Sequence, residues 1–481
     1  MSKERPRPRR QLNKAMPRAV AAVSTPSEPS AAGGVAPIIR CAIPALIGAA
    51  LVSMVWWSWL KWSDPLVDWG RELYTPWQLS RGKVLYRDVA GFYGPFSQYF
   101  NAALFSIFGA SHRAIVLCNL AITAGLLALM YPLLRAISSR LAAAVACLVF
   151  VFLFATSVNH EGFNNYNYVT PYAHEATHGL VLSVLSLFCL MRFQRSARWL
   201  WIAGMGLCAG LVFLTKPESF VAIGPALVCG LALTLWNQKA SIARMAAVGS
   251  AITLCSAAPV LIAWMLLATA MPSMEALQGA LGSWPFLTNR ELTSLPFFAE
   301  VMGTDVLGEN LLMVLVVMGK YLLVLVPAVL AGLLVSGRGL APQIVAAIGA
   351  AAVPAALLTI AWTDRAWYLV ARPLPIFLAV AGVIIAIGIL RHRRDDEHQL
   401  LRILKLTLIL WAELLLLKII ALARIEHYGF ILAMPGMMLL VVMLMDWIPA
   451  SVRTFGGSAM VVEAAGLSLL GAILCLQLYP M

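Results

Sequence analysis

Charge is scarce in this chain. Only 12% of its 481 residues are Asp, Glu, Lys or Arg, about half the share typical of soluble domains, whereas 61% are hydrophobic. That balance excludes a soluble enzyme. Clustered cysteine is missing as well: Cys41, Cys118, Cys147, Cys189, Cys208, Cys229, Cys255 and Cys475 all lie in or beside apolar runs. With no CxxC spacing, neither a disulfide framework nor a cysteine-based metal clip is expected. No GxxxxGK or GxGxxG phosphate loop occurs, so nothing points to a nucleotide. Lys and Arg number 35 against 22 Asp and Glu, a net charge of +13, but the basic residues fall between apolar runs rather than in one stretch. A nucleic-acid partner is therefore not expected.

The chain has long apolar runs instead. They begin at 41–60, which ends on the interfacial residues Trp56, Trp57 and Trp59, and continue through 114–134, 141–157, 172–191, 199–214 and 220–236. After 246–268, 311–335, 344–362, 374–390, 406–421 and 430–445, the last is 458–478. Since about 20 apolar residues cross a bilayer, the expectation is an all-α polytopic membrane protein of about thirteen transmembrane helices. Residues 1–38, rich in Arg, Pro and Ser, read as a disordered basic cytoplasmic tail, and 39–481 as one transmembrane domain. With the amino terminus inside, most Lys and Arg fall on the cytoplasmic side, notably Arg391, Arg393, Arg394, Arg402 and Lys405. Most acids fall on the other side or within spans, so any chemistry is expected there.

The first outer loop, 61–113, is too long for a connector. Trp69, Leu73 and Trp77 form one helical stripe, and Phe96, Tyr99, Phe100, Ala103 and Ile107 form a second, with Ser97, Gln98 and Asn101 opposite. Both read as juxtamembrane helices lying on the lipid boundary. This loop presents Asp64 and Asp68 as candidate general bases, and Lys83 and Arg87 as candidate phosphate ligands. A solvated charged loop is the plainer alternative.

The second outer loop holds Asn164, Asn165, Asn167, His160 and Glu161 among aromatics, a mixture suited either to sugar recognition or to interfacial anchoring. It runs into His174, Glu175 and His178, which spell HExxH. On a helix that motif sets two imidazoles one turn apart for zinc. No third ligand pattern follows it downstream, so polar packing at the end of the span competes with a metal site. Lys216 in TKPE sits where a span meets the outer face, and a lysine there needs Glu218 or a bound anion. Arg372, Lys418, Arg424, Glu426 and His427 complete a candidate anion pocket.

DWGREL, GKVLYRD, FYGPFSQYFNAALFSIFG, TKPE and ARIEHYGFILAMPG, in that order along the chain, resemble the bacterial membrane glycosyltransferases of the GT-C superfamily, of the aminoarabinose-transferase and protein O-mannosyltransferase type. The resemblance implies an inner-membrane enzyme that transfers a sugar from a polyprenyl-phosphate donor to a lipid, glycan or protein acceptor on the outer face, with inversion. It places the catalytic carboxylate on Asp68, with Asp64 as the neighbouring alternative. It places the donor phosphate on Lys216, with Arg372, Lys83, Arg87 and His427 as further ligands. Glu72, Asn164, Asn167, His174, Glu175 and Glu218 are expected around sugar or acceptor. Where many relatives carry a second Asp in the second outer loop, this chain has Thr170 and Pro171, leaving Asn167, His174 or Glu175 to substitute. No cofactor is required, although a divalent metal at His174, Glu175 and His178 is allowed. Membrane lipids are expected neighbours, and the oligomeric state is left open. A transporter or lipid-carrier flippase is the alternative function, and an HExxH membrane metalloprotease the second.

Overall fold

The computed structural model describes residues 35–62, 68–157, 166–361, 367–391 and 396–478. Asp64, Asn164 and residues 1–34 of the expected tail lie outside the described residues, while the last four residues of that tail, 35–38, open α1. The first half of the chain contributes α1 (Val35–Ser58), α2 (Gly70–Ser80), α3 (Phe96–Phe108), α4 (His112–Ile137), α5 (Arg140–Phe150), α6 (His174–Ser196), α7 (Trp199–Phe213), α8 (Pro217–Asn237), α9 (Ile242–Ala268) and α10 (Ser273–Leu281). The second half contributes α11 (Arg290–Thr293), α12 (Pro296–Met302), α13 (Leu307–Leu334), α14 (Leu340–Ala361), α15 (Leu374–Arg391), α16 (Asp396–Leu416), α17 (Gly429–Leu432), α18 (Met434–Val442), α19 (Ile448–Thr454) and α20 (Ala459–Leu478). No strand is found among the described residues. The fold is the expected all-α polytopic one.

Among the described residues, nine helical stretches are long and apolar enough to cross a membrane, and three shorter apolar helices are Ala42–Ser58, Arg140–Ala155 and Trp199–Phe213. Helix α16 overlaps the expected run 406–421 but carries Asp396, Glu397, Arg402 and Lys405 through its first half, which keeps it out of both groups. One continuous apolar core is drawn from α4 to α8 and from α15 to α18. In contrast, α9 buries almost none of its length and leaves Leu254, Leu261, Met265 and Leu266 outward, the pattern of a lipid-facing helix.

The two helices of the first outer loop form where expected. In α2 the inward residues are Glu72, Thr75, Pro76 and Leu79, with Trp69 just before them, whereas Trp77 is exposed. Glu72, off the stripe of Trp69, Leu73 and Trp77, is fully buried. In α3 the polar stripe is the inward one: Ser97, Gln98, Asn101, Ala102 and Phe105 point inward, and Tyr99, Phe100 and Ile107 point out. A helix at a lipid boundary turns its apolar side away from the protein whenever the protein offers polar partners, and α6 offers them. The segment between these helices docks through Gly94, whose N–H donates to Thr215 O at 3.0 Å while Phe96 N–H donates to Leu214 O at 3.2 Å. A Cβ at Gly94 would lie 2.2 Å from Leu214 O, so only glycine permits this approach.

Candidate active site

Lys216 precedes α8 as its N-cap, with Pro217 preorganising the first turn and Glu218 placed near the positive end of the helix dipole. The Lys216 side chain is 1% exposed. Its Nζ donates to Tyr172 Oη at 2.7 Å, stands 3.8 Å from Glu218 Oε1, and sits over the rings of Tyr93 and Tyr172 at 4.0 and 4.3 Å. Burial opposes the charge on this amine, but Glu218, then Tyr93 and Glu175, outweigh it and hold the pKa above the usual lysine value. Lys418 reaches the same carboxylate from the turn after α16, with Nζ 2.9 Å from Glu218 Oε1. Two lysines thus share one carboxylate, and the group keeps a net positive charge suited to an anion.

The following loop, ARIEHYGF, is folded tightly: His427 takes φ +53°, and a Cβ on Gly429 would clash with Arg424 O. This turn brings Arg424 Nη2 to 3.1 Å from His427 Nδ1 and Arg424 Nε to 3.6 Å from Glu426 Oε1. Burial, then Arg424 and Lys418, push the His427 imidazole down to about 4, so it enters the site as a neutral ring. Tyr166 stacks on His427 at 4.8 Å and on Tyr172 at 4.4 Å, and Tyr428 meets Tyr172 at 5.1 Å. Burial and then the charge of Asp68 raise the Tyr166 phenol above its usual value, which keeps it a hydrogen-bond donor.

Asp68 closes the cluster. Tyr166 Oη donates to Asp68 Oδ2 at 3.2 Å, and Arg71 Nη1 lies 3.8 Å from Asp68 Oδ1. The Asp68 side chain is 30% exposed and its backbone sits at φ +61°, a left-handed conformation uncommon outside glycine. Arg71 also donates to Tyr172 O at 2.9 Å, and Trp69 Nε1 donates to His112 Nδ1 at 3.0 Å, so both flanks of Asp68 are anchored. The expected carboxylate and the expected lysine therefore meet across one aromatic layer.

Other expected residues fall elsewhere. Glu72 accepts from His174 N at 2.9 Å and pairs with His174 Nδ1 at 2.6 Å, and both side chains are fully buried. Burial would raise the Glu72 carboxyl, but His174 and then Arg71 hold it below the usual range. The Glu72 carboxylate thus caps the first turn of α6, where Ala173 has no side chain to do so. His174 Nε2 lies 3.1 Å from Asn119 Nδ2, so both ring nitrogens of His174 are engaged and the two-imidazole geometry of an HExxH zinc site is not formed. Among the described residues no group of three or more His, Cys, Asp or Glu side chains is arranged to hold a metal ion. Asn167 Oδ1 accepts from Val169 N and Thr170 N at 2.9 and 2.8 Å, shaping its own loop. Arg87 pairs with Asp88 at 2.8 Å and donates to Ala270 O at 2.8 Å, while Lys83 is exposed in the same turn. That clip lies against the end of α9. Its hydrogen bond to Arg87, then that from Val84 N, draws the Asp88 carboxyl down to about 2. Arg372 is buried and donates to Asn310 Oδ1 at 2.9 Å and Ala421 O at 3.2 Å, bracing the segment that carries Lys418 and Arg424.

The tyrosines Tyr93, Tyr166, Tyr172 and Tyr428 were not singled out from the sequence. The aromatic density of NNYNYVTPY was the available signal, and what it lacked was the pairing with ARIEHYGF about 260 positions later.

Residues 93–264, which include Tyr93, Gly94, Tyr166, Tyr172, Lys216 and Glu218, match the family described as dolichyl-phosphate-mannose-protein mannosyltransferase. No curated protein matches the chain. Two solved structures are similar. One is the oligosaccharyltransferase AglB of Archaeoglobus fulgidus in complex with an inhibitory peptide and a dolichol-phosphate (12% identity, TM-score 0.49, covering 92% of this chain and 56% of that one). The other is an Archaeoglobus fulgidus oligosaccharyltransferase in complex with Zn and sulfate (13% identity, TM-score 0.44, covering 88% and 53%). The chain spans about half the length of both. Over residues 93–264 the chain is thus similar to a mannosyltransferase family, in the direction that the resemblance in its sequence implied.

Proposed function

We infer that the chain transfers a sugar from a polyprenyl-phosphate donor to an acceptor hydroxyl at the outer face of a bacterial inner membrane, within a single membrane domain covering 39–481. The observation that carries this reading is the juxtaposition of Asp68 with the Lys216–Glu218–Lys418 group through Tyr166 and Tyr172. Asp68 takes the proton from the acceptor hydroxyl as its oxygen attacks the anomeric carbon. The bond from that carbon to the phosphate oxygen breaks on the opposite face, so the configuration inverts and the electron pair leaves with the phosphate. Lys216 and Lys418, preorganised and short of one counter-charge, stabilise the charge that develops there. Tyr166 orients Asp68 by its hydrogen bond and, with neutral His427, offers stacked ring faces to a sugar. The carrier's tail would lie along the apolar surface between helices.

Purified protein in liposomes, given a labelled polyprenyl-phosphate sugar and an acceptor extract, tests the assignment. Glycoside formation in the wild type and loss of at least about a thousandfold in Asp68→Asn is the expected result. A flippase would move label between leaflets without forming glycoside, and Asp68→Asn would leave that movement intact.

A further inference from the structure

Beyond the Asp68 cluster, the inward polar face of α3 meets the first turns of α6 through two hydrogen-bonded pairs. Gln98 Nε2 donates to Glu175 Oε1 at 2.9 Å, and Ser97 Oγ lies 3.0 Å from His178 Nδ1. The remaining atoms of these side chains are left over. Glu175 Oε2, His178 Nε2 and Gln98 Oε1, together with Asn101 Nδ2 from the next turn of α3, are buried and meet no hydrogen-bond partner. Their residues are 1%, 5%, 7% and 1% exposed, so solvent does not serve them. Each such atom costs about 1–3 kcal/mol, and four on one helix interface call for a ligand.

The balance of donors and acceptors says which kind. With the ring proton of His178 on Nδ1, toward Ser97, the interface offers three acceptors (Glu175 Oε2, His178 Nε2, Gln98 Oε1) and one donor group, Asn101 Nδ2. A single water brings two protons and leaves an acceptor unmet. With Glu175 ionised, a cation held between them would meet all three. Glu175 and His178 are three residues apart and so share one face of α6, the same Glu-x-x-His spacing by which helix bundles present metal ligands.

We propose that the α3–α6 interface binds one divalent metal ion of the zinc class through Glu175 Oε2, His178 Nε2 and Gln98 Oε1, with Asn101 Nδ2 donating to a water that completes the coordination. One imidazole with oxygen donors suits zinc and its neighbours better than calcium. Ser97 is the outer partner that fixes the imidazole tautomer, and the rings of Phe96 and Phe100, 6.0 and 5.0 Å from His178, screen it from water. This is not the HExxH pairing, because His174 is held by Glu72 and Asn119. The ion would staple α3, and the Gly94 segment before it, to the first turns of α6, and it stands apart from the proposed transfer chemistry.

The test reads metal directly. Protein purified through a tag that binds no metal, without chelator, should hold about one zinc per chain, and cobalt exchanged into it should show the visible bands of a low-coordinate site. Zinc-edge X-ray absorption should count one imidazole. Glu175→Gln and His178→Gln should each weaken uptake by about a hundredfold, and Ser97→Ala by about tenfold, as expected for ligands and for an outer partner. A wild-type protein that takes up no stoichiometric zinc and gives no cobalt spectrum overturns the proposal in favour of a hydrated interface, and a count of two imidazoles overturns it in favour of His174 with His178. Both readings come from the wild type alone, so a variant that fails to fold does not block them.

Discussion

The Glu72 carboxylate makes a prediction about stability that does not depend on the reaction. It is fully buried on α2, yet it serves α6, accepting from the His174 backbone N–H at 2.9 Å and meeting His174 Nδ1 at 2.6 Å, with Arg71 Nη2 at 3.2 Å. In Glu72→Ala, both groups on His174 lose an acceptor in a place water does not reach. Each orphan costs about 1–3 kcal/mol, so a net loss of about 2–6 kcal/mol is expected for the two groups. Glu72→Gln keeps one acceptor and the volume, and is expected to lose about half as much. At roughly 1 °C per kcal/mol for a domain of about 440 residues, thermal unfolding in detergent should fall by about 2–6 °C for the alanine variant. Glu309→Ala, at an exposed acid on α13, is the control and should not shift. A Glu72→Ala melt indistinguishable from that of Glu309→Ala would refute the claim that α2 caps α6.

Four shorter predictions follow from the site. Lys216→Met should raise the KM for a polyprenyl-phosphate donor and lower turnover by about a hundredfold or more, with Lys418→Met milder because its side chain is less buried; donor titrations of both variants check this. Tyr166→Phe retains the stack on His427 and Tyr172 but loses the bond to Asp68, so it should lose less activity than Tyr166→Ala, which loses both, in the same transfer assay. His427, with its pKa near 4 when folded against about 6.5 unfolded, binds fewer protons in the native state between those values. Its contribution is therefore complete above pH 6.5 and declines as pH falls toward 4, by about 2 kcal/mol once partial exposure is allowed for, and His427→Phe should flatten that part of the stability profile. Gly94→Ala forces a Cβ to within 2.2 Å of Leu214 O, so it should shift the backbone that holds Tyr93 over Lys216, lowering both the melting temperature and donor affinity.

What could be read from the sequence, and what could not, divides along the kind of signal each residue gives. Long apolar runs announce helices whatever their neighbours are, and the runs from 114–134 to 458–478 are found as helices with shifted ends. Lys216 was legible because a lysine beside Pro217 at the end of an apolar run needs a partner; Asp68 was offered together with Asp64 by a loop too long to be a connector, and the resemblance preferred it. The tyrosine layer between them was not legible. It joins Tyr166 and Tyr172 to His427 and Tyr428, and no local periodicity encodes a contact across that distance in the chain. The role of Glu72 was hidden for a different reason: it caps a helix a hundred residues away, where Ala173 leaves an N–H without a local acceptor.

The inward polar face of α3 carries the sharper lesson about membrane proteins. An apolar stripe tells which side of a helix avoids water, and in a soluble domain that side is the core. Next to lipid the same stripe is satisfied by the bilayer, and the polar stripe is free to turn inward wherever it finds partners. Ser97, Gln98 and Asn101 do so on α3, and they find His178 and Glu175 at the outer end of α6. The inward placement of those five side chains fixes the height of α3 against α6 and hence the docking of Gly94 on Leu214 and Thr215. That docking lays Tyr93 over the Lys216 ammonium at 4.0 Å, so the polar face of α3 positions one wall of the site.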